Sequence, residues 1–365
     1  MQSNGTGIYV HIPFCRFRCD YCAFITYTDK DHLIDDYVNA CVEQLAREVA
    51  HLDTPADTLY LGGGTPSRLS ADQVSAIVHA ASLSDGSEVS IECNPEDVSA
   101  DLLLGYRLAG VTRASFGVQS TSARVLESLG RPESPVSLQF LASAVASSGL
   151  QSWNIDLIYG ASAETFEDFQ VSVETVLSLT PAPPHLSAYA LTVEAGTPLS
   201  RTPERHPDED RQADRYEWLT KRLGAAGFDF EEISSWALPG HTCRHHERYW
   251  SGGNYLGIGA GAHGHRDGHR YWNTVSPERY ISMIGSGDSP IAGEEFVQGQ
   301  RQVFEMESLL LRTASGVDWD ALDHEALAHK SGRHVLIERK GDRAVLTIEG
   351  RLLANQVILC LKSSC

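Results

Sequence analysis

An apolar, strand-like run beginning at Ile8 discharges into a loop that holds three cysteines, Cys15, Cys19 and Cys22, spaced C-x3-C-x2-C. Thiolate is the soft ligand that iron-sulfur clusters select, and a four-iron cubane normally takes four of them. Three at this spacing hold a cluster with one iron left open, and an open metal position is where chemistry can occur. A structural zinc site with His11 as fourth ligand uses the same atoms, although zinc knuckles usually pair their cysteines as C-x2-C and find a second pair well downstream.

Further along, Gly62-Gly63-Gly64-Thr65-Pro66 follows a short apolar run and precedes a helical pattern. Glycines there let backbone amides approach a polar ligand closely, and a tight turn accounts for them equally well. Glu92 in IECNPED, Gln119 in SFGVQS, Arg131 in SLGRPE and Asp156 in NIDLIYG each fall at or just after a predicted strand end or turn. Taken singly, each reads as a cap or a surface residue. A second segment of interest is Cys243-Arg244-His245-His246-Glu247-Arg248-Tyr249-Trp250, followed by NYLGIGAGAHG. Histidine is a common axial haem ligand and aromatic rings can pack on a porphyrin face; a polar loop over the mouth of the fold explains the same residues. His263, in GAGAHG, reads as a packing or hydrogen-bonding residue.

The elements that must position these groups alternate. Strands are expected at 58–61, 88–92, 113–117, 151–158 and 185–191 after the one that leads into the cluster loop. Helical patterns lie between them at 33–52, 70–82, 99–110, 123–129, 136–148 and 166–179, with Ser70 and Ser99 as N-caps. Strands separated by helices imply a parallel sheet, and about six such units make an incomplete TIM-like (β/α)6 barrel, an α/β fold. In such sheets ligands sit at the carboxyl ends of the strands, where the unusual residues fall. Residues 203–214 (PERHPDEDRQAD) read as a charged connector before a helix at 215–226, and 257–264 as a glycine-alanine loop. From Arg301 on, helices at 302–311 and 319–329, alternating runs at 335–338 and 344–348 and a last helix from 353 resemble a winged-helix appendage. The expected divisions are 1–228 for the barrel, 229–300 for an extension carrying the histidine segment, and 301–365 for the appendage.

The chain has 365 residues, 42% of them hydrophobic, which is ample for a packed core, and a formal net charge of −19 that repels phosphate backbones. Nucleic acid is therefore an unexpected partner. No signal-like segment and no stretch of membrane-crossing length is evident, so the chain reads as cytoplasmic, where eight cysteines are better suited to a cluster than to disulfides. Cys41, at helical spacing with Tyr37 and Leu45, reads as a buried small hydrophobe; Cys93, Cys360 and Cys365 are assigned no role.

The run C-x3-C-x-Tyr-C, with Tyr21 beside Cys22, resembles the radical S-adenosylmethionine (SAM) superfamily. That resemblance implies a [4Fe-4S] cluster whose open iron is chelated by SAM, one-electron cleavage of SAM to methionine and a deoxyadenosyl radical, and the incomplete barrel already expected. The chain is similar over nearly its whole length to the oxygen-independent coproporphyrinogen oxidase branch. From that branch the SAM contacts carry over to Tyr9, Tyr21, Gly63, Gly64, Thr65, Glu92, Gln119, Arg131 and Asp156. The branch usually continues after DL-x-YG with Leu-Pro-Gly-Gln, where this chain has Ala161-Ser162-Ala163-Glu164.

Within the branch, true oxidases carry a further cysteine two positions after the third and an extension before the cluster; here that position is Phe24 and fourteen residues precede Cys15. The segment at 245–250 is similar to the His-Asn-x-x-Tyr-Trp signature of HemW-type haem chaperones, with His245 on the haem-associated position and His246 in place of asparagine. This resemblance implies a protein that binds haem and hands it to recipient haemoproteins such as respiratory enzymes. It also implies an electron donor, homodimers and at most peripheral association with a membrane. The opposing expectation is a coproporphyrinogen III oxidase that converts propionates to vinyls, and a weaker one is radical SAM chemistry on another substrate.

Overall fold

The computed structural model describes residues 5–134, 136–332 and 334–364; Cys365 lies outside them. Six strands lie side by side in chain order and parallel: β1 (Gly7–Ile12), β2 (Thr58–Gly63), β3 (Glu88–Cys93), β4 (Arg113–Gln119), β5 (Ser152–Tyr159) and β6 (His185–Ala190). Parallel neighbours cannot be joined by tight turns, and helices make the crossovers. These are α1 (Ile34–Val49), α2 (Ala71–Ala80), α3 (Ala100–Leu108), α4 (Ala123–Ser128), α5 (Leu138–Ser148) and α6 (Phe166–Leu177). Four of these starts are set by side-chain caps: Ser70 and Thr165 form capping boxes with Gln73 and Asp168, while Ser99 and Ser137 accept single backbone N–H groups.

The period-two alternation of these strands separates core from site. Ile8, Val10 and Ile12, then Leu59 and Leu61, Ile91, Phe116, Ile155 and Leu157 are buried in the main hydrophobic core with helix residues such as Tyr37, Leu45, Val74 and Leu103. The residues between them, Tyr60, Glu92, Ser115 and Asp156, point to the opposite face and line a cavity. An apolar outer face and a polar inner face are what a strand of an open barrel needs when its interior is to hold a ligand.

Residues 229–300 extend the sheet at both edges. Beyond β6 come β8 (Ser235–Ala237) and β7 (Asp229–Glu232), antiparallel; beyond β1 come β9 (Tyr255–Ile258), parallel to it, then β10 (His263–Arg266), β11 (His269–Asn273) and β12 (Ile291–Phe296), antiparallel. The outermost strands β12 and β7 do not pair with each other, so the twelve-stranded sheet stays open. Half of the expected loop at 257–264 is strand: residues 259–262 connect β9 to β10.

Helix α7 (Glu209–Ala225) begins six residues before the expected helix at 215 and takes up half of the expected connector. Asp208 accepts the Arg211 N–H, and Glu209 and Asp210 occupy the first turn, so the charges that read as a linker are those that stabilise a helix start. Two more helices, α8 (Arg244–Trp250) and α9 (Pro277–Gly285), complete the main body.

The remaining chain has its own hydrophobic cluster, with Leu311, Val317, Leu322, Leu346, Val357 and Leu361 at its centre. Helices α10 (Gln300–Leu310), α11 (His324–Ser331), α12 (Ile348–Leu352) and α13 (Ala354–Ile358) surround a three-stranded sheet of β13 (Val317–Asp318), β15 (Arg343–Leu346) and β14 (Ile337–Lys340), in that order. The expected ribbon was two-stranded; the third member is two residues long, too short to leave a periodic signal. The Ala314 N–H donates to the Glu231 carbonyl, and the Arg351 guanidinium lies 3.4 Å from the Phe230 ring centre, joining this part to β7. Among the described residues no helix is long and apolar enough to cross a membrane.

Candidate functional site

The carboxyl ends of β1 to β6 open on a cavity of about 560 Å³. The loop after β1 brings Cys15, Cys19 and Cys22 to its wall, and the turn after β2 brings Gly63, Gly64 and Thr65. Glu92, Gln119 and Asp156 enter from β3, β4 and β5, with Tyr21 and Arg131 completing the set. Of the thirteen residues expected at the site, two lie elsewhere. Tyr9 faces a neighbouring cavity with its hydroxyl 2.9 Å from His11 Nδ1, and His245 lines neither.

Cys15 is held by its N–H donating to the Tyr27 carbonyl, and the turn that follows is closed by the Cys22 N–H donating to the Cys19 carbonyl. A chain of polar contacts joins two of the thiols. Thr65 Oγ1 lies 3.4 Å from Cys15 Sγ, Asn94 Nδ2 donates to Thr65 Oγ1, Arg131 donates to Asn94 Oδ1 at 3.0 Å, and Arg131 Nη1 lies 3.8 Å from Cys19 Sγ. Donors aimed at sulfur, one of them a guanidinium, stabilise the thiolate form and the negative charge of a thiolate-bound cluster. Arg131 also donates to the Gly117 carbonyl at 2.8 Å, which fixes the guanidinium against the end of β4. Burial raises the thiols of Cys15, to about 11, and of Cys22, so metal uptake here releases protons.

The glycines answer a steric demand. Gly63 has φ 114°, and a Cβ added there would come within 2.5 Å of the His11 ring; at Gly64 it would meet the Ile12 carbonyl at 2.9 Å and Cys15 Sγ at 3.0 Å. The run therefore passes directly against the cluster loop, leaving its backbone bare toward the cavity. Gln119 sits at φ 69°, a left-handed conformation that costs a non-glycine residue energy, and its buried Oε1 lacks a partner. A strained residue carrying an orphaned acceptor at a strand end marks a ligand position.

Glu92 accepts from the Tyr60 hydroxyl at 2.9 Å and from the Gly63 N–H at 3.0 Å. Burial raises its carboxyl to about 7, against the pull of those two hydrogen bonds. Asp156 is fixed by Ser115 Oγ and Asn154 Nδ2, each at 2.8 Å, and burial raises it as well. The donor set fits the cluster and a SAM-like ligand: three thiols, a bare backbone edge, an orphaned amide oxygen and two buried carboxylates surround one space.

The zinc alternative finds no support in this geometry. His11 spends Nδ1 on Tyr9 and Nε2 on the Ile25 carbonyl, and among the described residues no three His, Cys, Asp or Glu side chains converge as ligands for a single ion.

The histidine segment forms α8, pinned at three points. Glu88 accepts the backbone N–H groups of Arg244 and His245, Arg248 pairs with Asp57 and the Gly5 carbonyl, and His245 meets Thr58 Oγ1 through Nδ1 at 2.8 Å. His245 Nε2 contacts the Tyr249 hydroxyl at 2.7 Å, and the side chain is fully buried. Both ring nitrogens are thus taken, and the expected haem ligand has none left for iron. One residue along a helix turns the side chain by about a quarter of the circumference, and His246 lines the cavity that His245 does not.

Sequence reasoning missed Asn94, which joins Thr65 to Arg131, and Tyr60, which stacks on the His245 ring at 5.3 Å and lies 5.0 Å from the tilted ring of His246. Asn94 stands two residues past Glu92, directly after β3, which was the one available signal.

Comparison with known proteins supplies the family. The radical SAM superfamily model matches residues 9–176. The chain is 38% identical over 377 residues to "Heme chaperone HemW" of Mycobacterium tuberculosis H37Rv, spanning 99% of this chain and 96% of that one. It is 32% identical to the protein of the same name from Bacillus subtilis 168, spanning 96% and 97%. Among solved structures it matches coproporphyrinogen III oxidase (HemN) from Escherichia coli with a TM-score of 0.82 over 99% of this chain and 91% of that one, at 21% identity. That last likeness concerns the fold.

Proposed function

The chain belongs to the HemW family of haem chaperones within the radical SAM superfamily, and from this we propose that it binds haem and hands it to recipient haemoproteins while carrying a [4Fe-4S] cluster and SAM. Identity over nearly the whole length of the curated relatives carries this function. Phe24 supports it: where the oxidases place a further thiol, this chain has an aromatic side chain at the cavity wall, 67% exposed.

Cys15, Cys19 and Cys22 would hold the cluster, which together with SAM supplies one-electron reducing chemistry when bound. Gly63, Gly64 and Thr65 would receive the methionine end of SAM along their backbone, Glu92 its amino group, Gln119 and Asp156 its remaining polar groups, with Tyr21 and Arg131 closing the cluster side. Tyr9, which the family resemblance places among these contacts, would serve the neighbouring cavity. We place the protein in the cytoplasm as a homodimer supplied by an electron donor, at most peripherally associated with membranes. We also divide it at 228 and 300 into barrel, extension and appendage.

The ionised form of Glu92 is the stronger acceptor for the N–H groups of SAM's amino nitrogen, and burial raises its carboxyl to about 7. SAM binding to the reconstituted protein is therefore expected to weaken by about tenfold per pH unit below that value. Glu92→Gln should bind weakly and without the slope. Equilibrium dialysis across the neutral range checks this, and wild-type binding that ignores pH would remove Glu92 from the amino group.

The functional reading is tested by offering the reconstituted protein haem and coproporphyrinogen III in parallel. Haem uptake without protoporphyrinogen formation is the expected pair of results, and robust turnover would favour the oxidase.

A further inference from the structure

A second cavity of about 450 Å³ adjoins the first and shares Phe24, Tyr60, Glu92 and His246 with it. Its own walls are aromatic. Tyr9 and Tyr60 lie 6.3 Å apart with planes inclined by 22°, and Tyr249 meets Tyr255 edge to face at 4.7 Å. Ring faces of this kind accept a flat, largely apolar molecule, and the volume is within the range of cofactor sites.

Three histidines line this space, and their ring nitrogens are not equally available. His11 uses both, toward Tyr9 and Ile25. The side chains of His246 and His263 make no hydrogen bond among the described residues. His246 belongs to both cavities and lies against Tyr60 with ring centres 5.0 Å apart, whereas His263 belongs to the second cavity alone. His263 begins β10, and its ring lies 6.0 Å from that of Trp272, its partner across the strand pair, with planes inclined by 30°. The residues just before it are rigidly held: the Tyr37 hydroxyl accepts the Ala260 N–H at 2.7 Å, and Gln44 accepts the Gly259 N–H. Burial lowers the pKa of His263 below its ordinary value, which favours the neutral imidazole that metals bind.

We infer that the second cavity takes the iron tetrapyrrole and that His263 supplies its axial imidazole, an inference that rests on the haem-chaperone reading. An Fe–N bond forms to the free ring nitrogen and a weakly bound water leaves; no electron or proton is transferred. His245 acts at one remove, by holding the hydroxyl of Tyr249 and with it one wall of the cavity. Haem so placed abuts the cluster and SAM cavity, separated from it by Tyr60, Phe24 and Glu92.

The test is a haem titration of the full-length protein, followed by its Soret band and by the low-spin electron paramagnetic signal. His263→Ala removes a side chain on the cavity wall that takes no part in the hydrophobic core, so the fold and cluster reconstitution should be retained. Affinity is expected to fall by about tenfold or more, with a displaced Soret band. Added imidazole should restore the wild-type spectrum, a rescue that a merely structural role would not show. His246→Ala should keep the wild-type band position. Unchanged affinity and spectrum in His263→Ala, beside normal wild-type binding, would overturn the assignment alone. A wild-type protein that takes up no haem would overturn the chaperone reading and this inference together.

Discussion

Cys19→Ala is expected to leave the protein unable to assemble a four-iron cluster, with near-complete loss of the cluster's charge-transfer absorbance, paramagnetic signal and bound iron after anaerobic reconstitution. On the proposed assignment the three thiols are the whole protein contribution to the cluster among the described residues: they open on one cavity, while Cys41, Cys243 and Cys360 are buried and do not line it. Cys93 also lines the wall, but it ends β3 with its side chain in the hydrophobic core and no thiol neighbour at ligand spacing. Cys19 is the member closest to the Arg131 guanidinium, so its loss removes a ligand and strands a buried cation facing the two that remain. Chemical quantification of iron and sulfide gives the number directly. Retention of a full cluster would defeat the three-cysteine site.

A second large effect is expected far from the chemistry. Arg215 in α7 donates from Nε to the Glu164 carboxylate at 2.7 Å and from Nη2 to the Glu164 carbonyl at 2.9 Å, with both side chains almost wholly buried. The same carboxylate accepts the Gly160 N–H at 2.8 Å, and so shapes the turn that follows β5 and Asp156. Burial pushes the Glu164 carboxyl upward against the pull of Arg215, a sign of how costly the unpaired ion would be. Removing one partner of a buried pair leaves the other charge uncompensated, so Arg215→Ala is expected to cost about 3–5 kcal/mol of unfolding free energy. Urea titration followed by circular dichroism measures it. Glu164→Gln keeps an acceptor for Gly160 and should cost less. A loss below about 1 kcal/mol in Arg215→Ala would mean that water screens the pair as on an open surface.

That pair also explains what could and could not be read from the amino acids. The family's Leu-Pro-Gly-Gln is replaced here by Ala161-Ser162-Ala163-Glu164, and local reasoning had no means of finding the arginine, fifty-one residues away, that makes the carboxylate useful. Where chemistry is local, the reading was direct. The cysteine spacing and the glycine run are short-range signals, the family resemblance they carry named the other contacts, and the cavity gathers eleven of the thirteen residues so named. The six parallel strands were legible for a related reason: each carries its own apolar run, and four of the helices between them begin at a side-chain cap.

Side-chain direction was less accessible. His245 and His246 are neighbours in sequence, and which of them is buried depends on the pitch of α8 and on anchors supplied by Thr58, Glu88 and Asp57. Tyr9 alternates off β1 toward the second cavity because β9 and β10 extend the sheet there, in a stretch whose glycines read as loop. His263, read as a packing residue, could not be seen to keep a free nitrogen until the partners of every other histidine around it were known.

Haem handover tests the central claim most directly. The reconstituted protein, loaded with one equivalent of haem and mixed with an apo-haemoprotein, is expected to transfer its haem, seen as the Soret band of the recipient replacing that of the donor. The same preparation given coproporphyrinogen III, SAM and a reductant should form no protoporphyrinogen above the level of a cluster-free control. Haem that never leaves, or is never bound, together with steady release of carbon dioxide from coproporphyrinogen would contradict the account and make the protein an oxidase.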